Sequence, residues 1–194
     1  EPMLGTGHPP HPGRYKMVGI ALLRFLRRVF FFILIFLFTF HLPYIDSMDL
    51  SRQESIKEIL TVLEKHPTGL AHAMKEELAE IIYEESTRYN HDPKFIMAVI
   101  YTESEFYNWA VSSRGAKGLM QIMPEVGEYL SQEMGIEWSG DRTLFNPALN
   151  IRMGIYYLSR LILDFDDVRL ALTAYNYGPT RVRGFIDNKQ DIPA

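Results

Sequence analysis

Residues 92–104 read DPKFIMAVIYTES, and this stretch decides how the rest of the chain is interpreted. Asp92 is a residue type that caps helices and Pro93 suits the first helical position, so a helix is predicted to begin there. Apolar residues then recur three and four positions apart, which is the spacing of one buried helix face. Those residues are Phe95, Ile96, Val99 and Ile100. A helix with such a face must pack against other elements of a domain core.

Glu103 continues the apolar face of this helix. It lies three residues after Ile100 and four after Val99. Burial makes the charged form of a carboxyl costly, and the negative end of the helix dipole lies close by. Both effects raise the pKa, which is how a glutamic acid becomes a general acid near neutral pH. The pattern leaves a second interpretation open, in which Glu103 is a paired or solvated glutamate at a helix end.

The chain after residue 43 shows helical periodicity almost throughout. Beyond the helix at Pro93, helices are predicted in four places: around Ile56, Ile59, Leu60 and Leu63; over residues 70–89; from Asn146-Pro147 to about Asp164; and from Asp166 or Asp167 to about Asn176. Strand-like alternation is almost absent, although residues 107–118 could form a small irregular or β element because they contain helix-breaking glycines. We therefore predict a mainly α fold.

The amino-terminal region predicts a membrane segment. Residues 1–16 are rich in proline and glycine, which is typical of a disordered tail. Residues 29–42 read VFFFILIFLFTFHL and follow three arginines at positions 24, 27 and 28. A basic segment before an apolar run is the pattern of an export signal, and the arginines are expected to stay in the cytoplasm. We favour an uncleaved anchor over residues 17–42; the alternatives are a cleaved signal peptide and a buried core helix. Residues 43–75 are predicted to be a stalk or an accessory helix.

Composition and charge exclude several function classes. The chain has 194 residues and no cysteine, which excludes a disulfide scaffold, a thiol nucleophile and a zinc–thiolate site. The first 28 residues carry a net charge of +4 and the whole chain carries −4, so the remaining residues carry −8. An acidic body argues against nucleic acid as a partner, since phosphate binding needs a basic face. The sequence has no cluster of metal-ligand type and no phosphate loop, so no metal and no organic cofactor is expected.

Two further segments carry candidate binding residues. Residues 110–124 read AVSSRGAKGLMQIMP, in which Gly118 would let the backbone approach a ligand closely. Gln121 offers a neutral amide to sugar hydroxyl or acetamido groups, while Met120 offers adaptable apolar surface or core packing. Residues 174–179 read AYNYGP at a helix end, where Tyr175 supplies a ring and a hydroxyl and Asn176 supplies an amide.

Three separated motifs together resemble one known family. Glu103-Ser104, GAKGLMQIMP at residues 115–124 and AYNYG at residues 174–178, in this order and spacing, are similar to the soluble lytic transglycosylase (SLT) family. The resemblance covers about residues 76–186. It implies a lysozyme-like α+β domain at residues 76–190, with helices bundled around a glycan cleft. It also implies cleavage of the β-1,4 bond between N-acetylmuramic acid and N-acetylglucosamine in peptidoglycan.

The resemblance also implies roles for individual residues. Glu103 becomes the single catalytic acid and base, and Ser104 supports it or contacts a substrate acetamido group. Gly118, Met120 and Gln121 contribute to the glycan groove, and Tyr175 and Asn176 face Glu103 across it.

The family's reaction forms 1,6-anhydro-muramoyl ends without consuming water. The alternatives are a lysozyme-type hydrolase of the same bond and a peptidoglycan-binding module without catalysis. The expected location is the bacterial cell envelope, in the periplasm and anchored to the inner membrane, with peptidoglycan strands and the membrane as partners.

Overall fold

The computed structural model describes residues 13–191, and it describes side chains for 22–37 and 48–191. Helices make up nearly all of the regular structure in this range. In chain order they are α1 (Gly13–Lys65), α2 (His72–Arg88), α3 (Pro93–Ser104), α4 (Pro124–Met134), α5 (Asp141–Leu144), α6 (Pro147–Phe165), α7 (Val168–Tyr177) and α8 (Pro179–Asp187). Within the same range the only β pairing is a set of isolated bridges, Val111 with Lys117 and Lys117 with Ile122. The mainly α prediction is confirmed.

Three predicted helix starts are capped as the sequence indicated. The Asp92 carboxylate accepts a hydrogen bond from the Lys94 backbone N–H at 2.8 Å, and Pro93 takes the first helical position of α3. The side chains of Asn146 and Asp167 cap α6 and α7 in the same way. Each cap satisfies a backbone N–H group that has no partner inside the helix, so it fixes where the helix begins.

The core is built around α6. This helix packs against α2, α4, α5 and α7, while α2 also packs on α3 and α7 on α8. Fully buried side chains come from most of these helices, and they include Leu78, Ile82, Ile96, Ile100, Leu130, Ile151, Ile155 and Leu158. Because Ile96 and Ile100 are completely enclosed, the apolar face of α3 is held inside this core, and the orientation of Glu103 follows from it.

The chain divides into two units, Glu1–Ser51 and Arg52–Ala194. The last part of α1 belongs to the second unit, where the side chains of Ile59 and Leu63 are buried in the core. Salt bridges also connect α1 to its neighbours: Arg52 pairs with Glu84 of α2 at 3.0 Å, and Glu58 pairs with Lys94 of α3 at 3.2 Å. Residues 52–65 therefore contribute to the domain core.

In the first unit, α1 exposes apolar side chains between Leu22 and Leu37. No helix in the described part of the chain is both long enough and apolar enough to span a membrane. The predicted anchor at 17–42 is helical, but the side chains of 17–21 and 38–42 lie outside the described set. Residues 1–12 of the predicted tail lie outside the described residues, and residues 13–16 belong to α1.

Replacing Leu63 by alanine tests the structural role of α1. Leu63 is fully buried, so Leu63→Ala should lower the free energy of unfolding by about 3 kcal/mol, through lost apolar contacts and a residual cavity. Leu163→Ala removes the same atoms from an exposed leucine, and its effect should stay below about 0.5 kcal/mol. Urea denaturation of both variants measures the difference. Equal effects would contradict the placement of α1 in the core.

Candidate active site

The candidate acid lies where α3 ends. Glu105, the residue after the helix, has φ of 50°, and Phe106 follows with φ of 65°. Two successive non-glycine residues in this left-handed region carry backbone strain, so other contacts must hold the turn. Phe106 is buried and packs edge-on against His66 with ring centroids 4.8 Å apart, which supplies such contacts. Glu103 thus lies on the last turn of a helix whose apolar face is buried in the core and whose following turn is held by Phe106.

The carboxyl group of Glu103 is half-buried and lacks a compensating charge. Burial raises its pKa above the ordinary value for a glutamic acid. Among the side chains that the structure describes, none forms an ion pair or a hydrogen bond with Glu103. Glu105, two residues later, is exposed on another side. The arrangement can therefore hold a proton on Glu103 and present it to a ligand.

Three helices are joined through the backbone of Leu119 and Met120. The Ser104 hydroxyl donates to the Leu119 carbonyl at 2.8 Å, from the end of α3. The Tyr175 hydroxyl donates to the Met120 carbonyl at 2.8 Å, from α7. The Met120 backbone N–H donates to the Asn150 side-chain oxygen at 2.7 Å, from α6. These bonds bring together Ser104, Met120 and Tyr175, which the sequence analysis placed in one site.

Asn150 is a structural residue that the sequence analysis missed. Its side chain is fully buried, and its amide nitrogen donates to the Leu144 carbonyl at 2.8 Å and to the Lys117 carbonyl at 3.0 Å. The sequence does contain a signal for a buried role: Asn150 lies four positions before Gly154, on a face of α6 that is otherwise apolar. A buried amide with all its bonds satisfied is expected to fix the loop in one conformation.

Gly118 and Met120 serve packing in this structure. A Cβ atom on Gly118 would lie 2.3 Å from Asn150 Nδ2 and 2.5 Å from the Leu144 carbonyl oxygen, and its φ of 80° also favours glycine. The Met120 side chain is fully buried against Gly154, where a Cβ atom would lie 2.3 Å from the Met120 sulfur. The side chain of Met120 therefore lies in the core rather than on an open groove.

Gln121 and Asn176 remain accessible. Gln121 has φ of 48°, and its amide nitrogen donates to the carbonyls of Gly118 at 2.9 Å and Ala110 at 3.2 Å. Those bonds use the N–H groups and leave the side-chain carbonyl oxygen to accept from a ligand. Asn176 is exposed at the end of α7 and donates to the Leu172 carbonyl at 3.3 Å.

Tyr175 interacts electrostatically with Glu103. Burial raises the pKa of Tyr175 well above its ordinary value, and the negative charges of Glu103 and Tyr157 add to the shift. The two tyrosine rings also pack together with centroids 5.4 Å apart. The Tyr175 hydroxyl therefore stays protonated and brings no charge to the candidate acid. Within the described residues no group of three or more His, Asp or Glu side chains gathers as metal ligands would.

The pH dependence of stability tests the burial of Glu103. The unfolded chain releases this proton at the ordinary pKa and the folded chain at a higher one, so the group's contribution to stability is lost as pH rises through that interval. Glutamine cannot ionise, so the stability of Glu103→Gln relative to wild type should be greater at pH 7 than at pH 4. Thermal unfolding at both pH values measures this, with exposed Glu105→Gln as the matched control. A Glu103→Gln difference that is the same at both pH values would contradict the raised pKa.

Comparisons with known proteins agree with the motifs. The family model described as "Transglycosylase SLT domain" matches residues 80–193. A membrane-bound lytic murein transglycosylase C from Histophilus somni is 34% identical over 122 residues, which cover 58% of this chain and 34% of that protein. A soluble lytic murein transglycosylase from Salmonella typhimurium is 36% identical over 96 residues, which cover 48% of this chain and 15% of that protein. The matched part of the chain thus spans about a third of the first relative and about a seventh of the second.

A solved structure is also similar to this chain. It is the X-ray structure of an inactive mutant of the lytic transglycosylase Slt from Pseudomonas aeruginosa, in which a glutamate is replaced by glutamine. The match has a TM-score of 0.51 and 34% sequence identity, and it covers 58% of this chain and 18% of that one. Since the family model matches more than half of the sequence, the chain belongs to the transglycosylase SLT domain family.

Proposed function

We propose that this protein is a peptidoglycan lytic transglycosylase with Glu103 as its single acid and base. The observation that carries the proposal is a half-buried carboxyl at the end of α3, whose pKa is raised by burial and which no cation among the described side chains neutralises. The relatives named as lytic murein transglycosylases supply the substrate class. The glutamate-to-glutamine change in the inactive Pseudomonas aeruginosa mutant supports a glutamate in the catalytic role.

The first proposed step breaks the glycosidic bond. Protonated Glu103 gives its proton to the oxygen between the two sugars while the bond from that oxygen to the muramoyl C1 breaks. The bonding electron pair stays on the oxygen, so N-acetylglucosamine leaves with a free 4-hydroxyl. Positive charge that develops at C1 is stabilised by the neighbouring 2-acetamido group of the substrate, as in substrate-assisted glycosidases.

The second proposed step closes a ring within the muramoyl sugar. Its 6-hydroxyl oxygen bonds to C1, and the Glu103 carboxylate takes the proton of that hydroxyl. Glu103 is then protonated again, and the products together contain all the atoms of the substrate without added water. One carboxyl that alternates between acid and base suffices, which agrees with the half-buried Glu103 carboxyl as the candidate.

The neighbouring polar groups have proposed substrate contacts. The Gln121 carbonyl oxygen accepts from a sugar hydroxyl or an acetamido N–H, since its own N–H groups are engaged. The Ser104 oxygen can accept from an acetamido N–H while its proton is bonded to Leu119. Tyr175 and Asn176 line the side of the site that α7 forms. Gly118 and Met120 act through the backbone of the loop, because their side-chain positions are filled by packing.

The same proposal places the protein in the bacterial cell envelope. Residues 17–42 would anchor it to the inner membrane, and the catalytic domain would lie in the periplasm next to the peptidoglycan. The exposed apolar side chains of α1 and the membrane-bound relatives support this location. An uncleaved anchor would keep the enzyme within reach of wall that is close to the membrane.

Mass spectrometry of the reaction products tests the proposed function. The full chain in detergent micelles is incubated with purified peptidoglycan, and Glu103→Gln is the control. Wild type should release muropeptides with anhydro-muramoyl ends, one water lighter than reducing ends, and the variant should lose roughly 1,000-fold in rate because a glutamine amide cannot supply the proton.

Two results would contradict this function. Reducing ends in place of anhydro ends would make the protein a hydrolase of the same bond. Binding to peptidoglycan without any Glu103-dependent products would make it a binding module.

A further inference from the structure

Two aromatic side chains on the turn after α3 are exposed and adjacent. Tyr107 is 45% exposed and Trp109 is 50% exposed. Both rings lie against Gly69, where a Cβ atom would be 2.8 Å from Trp109 Cδ1 and 3.3 Å from Tyr107 Cε2. The Phe145 ring extends this surface, with its centroid 5.4 Å from that of Trp109. We call Tyr107, Trp109 and Phe145 the aromatic platform.

The aromatic platform is held in place by hydrogen bonds. The Trp109 indole N–H donates to the Gly69 carbonyl at 3.4 Å. Asn108, between the two exposed aromatics, is fully buried; its backbone N–H donates to the Thr68 carbonyl at 3.0 Å and its side chain to the Phe145 carbonyl at 3.0 Å. Rings fixed before binding lose little conformational entropy when a ligand arrives, so they can be an efficient binding surface.

The aromatic platform is continuous with the candidate active site. The Tyr107 backbone N–H donates to the Ser104 carbonyl at 2.9 Å, one residue after Glu103. Ala110, the residue after Trp109, accepts from the Gln121 side chain at 3.2 Å and from the Gly118 backbone at 3.0 Å. A long ligand bound beside Glu103 and Gln121 therefore has only a short distance to cover before it reaches Trp109.

We propose that the aromatic platform is a secondary binding surface for the pyranose rings of a polymeric glycan. The proposal rests on the proposed function, which supplies a glycan polymer as substrate. The apolar C–H faces of pyranose rings stack on aromatic rings, and the adjacent hydroxyls remain in water. Gly69, which seats both exposed rings, lies outside the residues 80–193 that the family model matches. The platform thus packs against a residue that lies outside the matched region.

Binding to intact peptidoglycan tests the platform without requiring turnover. In full chain carrying Glu103→Gln, a further change of Tyr107 and Trp109 to alanine should weaken binding to insoluble peptidoglycan roughly tenfold or more, since two stacking contacts are lost. Tyr107→Phe with Trp109→Phe keeps both rings and should restore most of the affinity. Tyr129→Ala removes a tyrosine that is 51% exposed on α4 and should change nothing. Unfolding curves confirm that each variant folds.

Turnover separates this proposal from the proposed function. In the active enzyme the double alanine change should raise KM for long glycan strands and leave kcat, and the rate on a short tetrasaccharide, unchanged. Unaltered binding and KM in a folded double variant would overturn the platform while the lyase assignment stands. Weakened binding in an enzyme that makes no anhydro products would keep the platform and overturn the lyase assignment.

Trp109 fluorescence distinguishes a glycan from a membrane surface. With Trp138→Phe, Trp109 is the remaining tryptophan in the chain. Addition of soluble glycan strands should shift its emission, and brominated lipids in reconstituted vesicles should leave it unquenched. Quenching by the brominated lipids without a response to glycan would assign these rings to the membrane interface and overturn the proposal.

Discussion

Three side chains from three helices bind the backbone of two adjacent residues, and the geometry of the site depends on this constraint. Ser104 from α3, Asn150 from α6 and Tyr175 from α7 are all bonded to Leu119 or Met120. Each of these bonds is short and at least partly shielded from water, so breaking one leaves a polar backbone group unsatisfied. The loop and the three helices must therefore assemble together, and that assembly places Tyr175 near the end of α3.

The charge state of Glu103 follows from the same assembly. Its helix is anchored by a buried apolar face and by the Ser104 hydrogen bond, so the backbone position of Glu103 is fixed. Burial disfavours its anion, and Tyr175, which interacts with it electrostatically, is neutral rather than cationic. The proposed chemistry needs this combination, because an acid that is salt-bridged would be ionised and unable to donate a proton.

Helix starts could be predicted from the sequence, because capping depends only on residues that are neighbours along the chain. The starts of α3, α6 and α7 follow from capping residues at positions 92, 146 and 167, and the structure has them there. Helix α8 is absent from the sequence-based prediction, which places residues 174–179 at a helix end; in the structure Gly178 has φ of 87° and Pro179 opens the next helix. Asn150 and the Tyr107–Trp109 surface depend on contacts between residues distant in sequence, which periodicity does not report.

The most direct test of the account is the titration of the Glu103 carboxyl carbon by nuclear magnetic resonance, assigned by its disappearance in Glu103→Gln. We predict a pKa above that of an ordinary glutamic acid, since burial without a cation penalises the anion. Tyr175→Phe should leave the direction of this pKa shift unchanged, because burial is its cause. An ordinary or lowered pKa for Glu103 would contradict the central claim that burial favours the protonated form of this carboxyl.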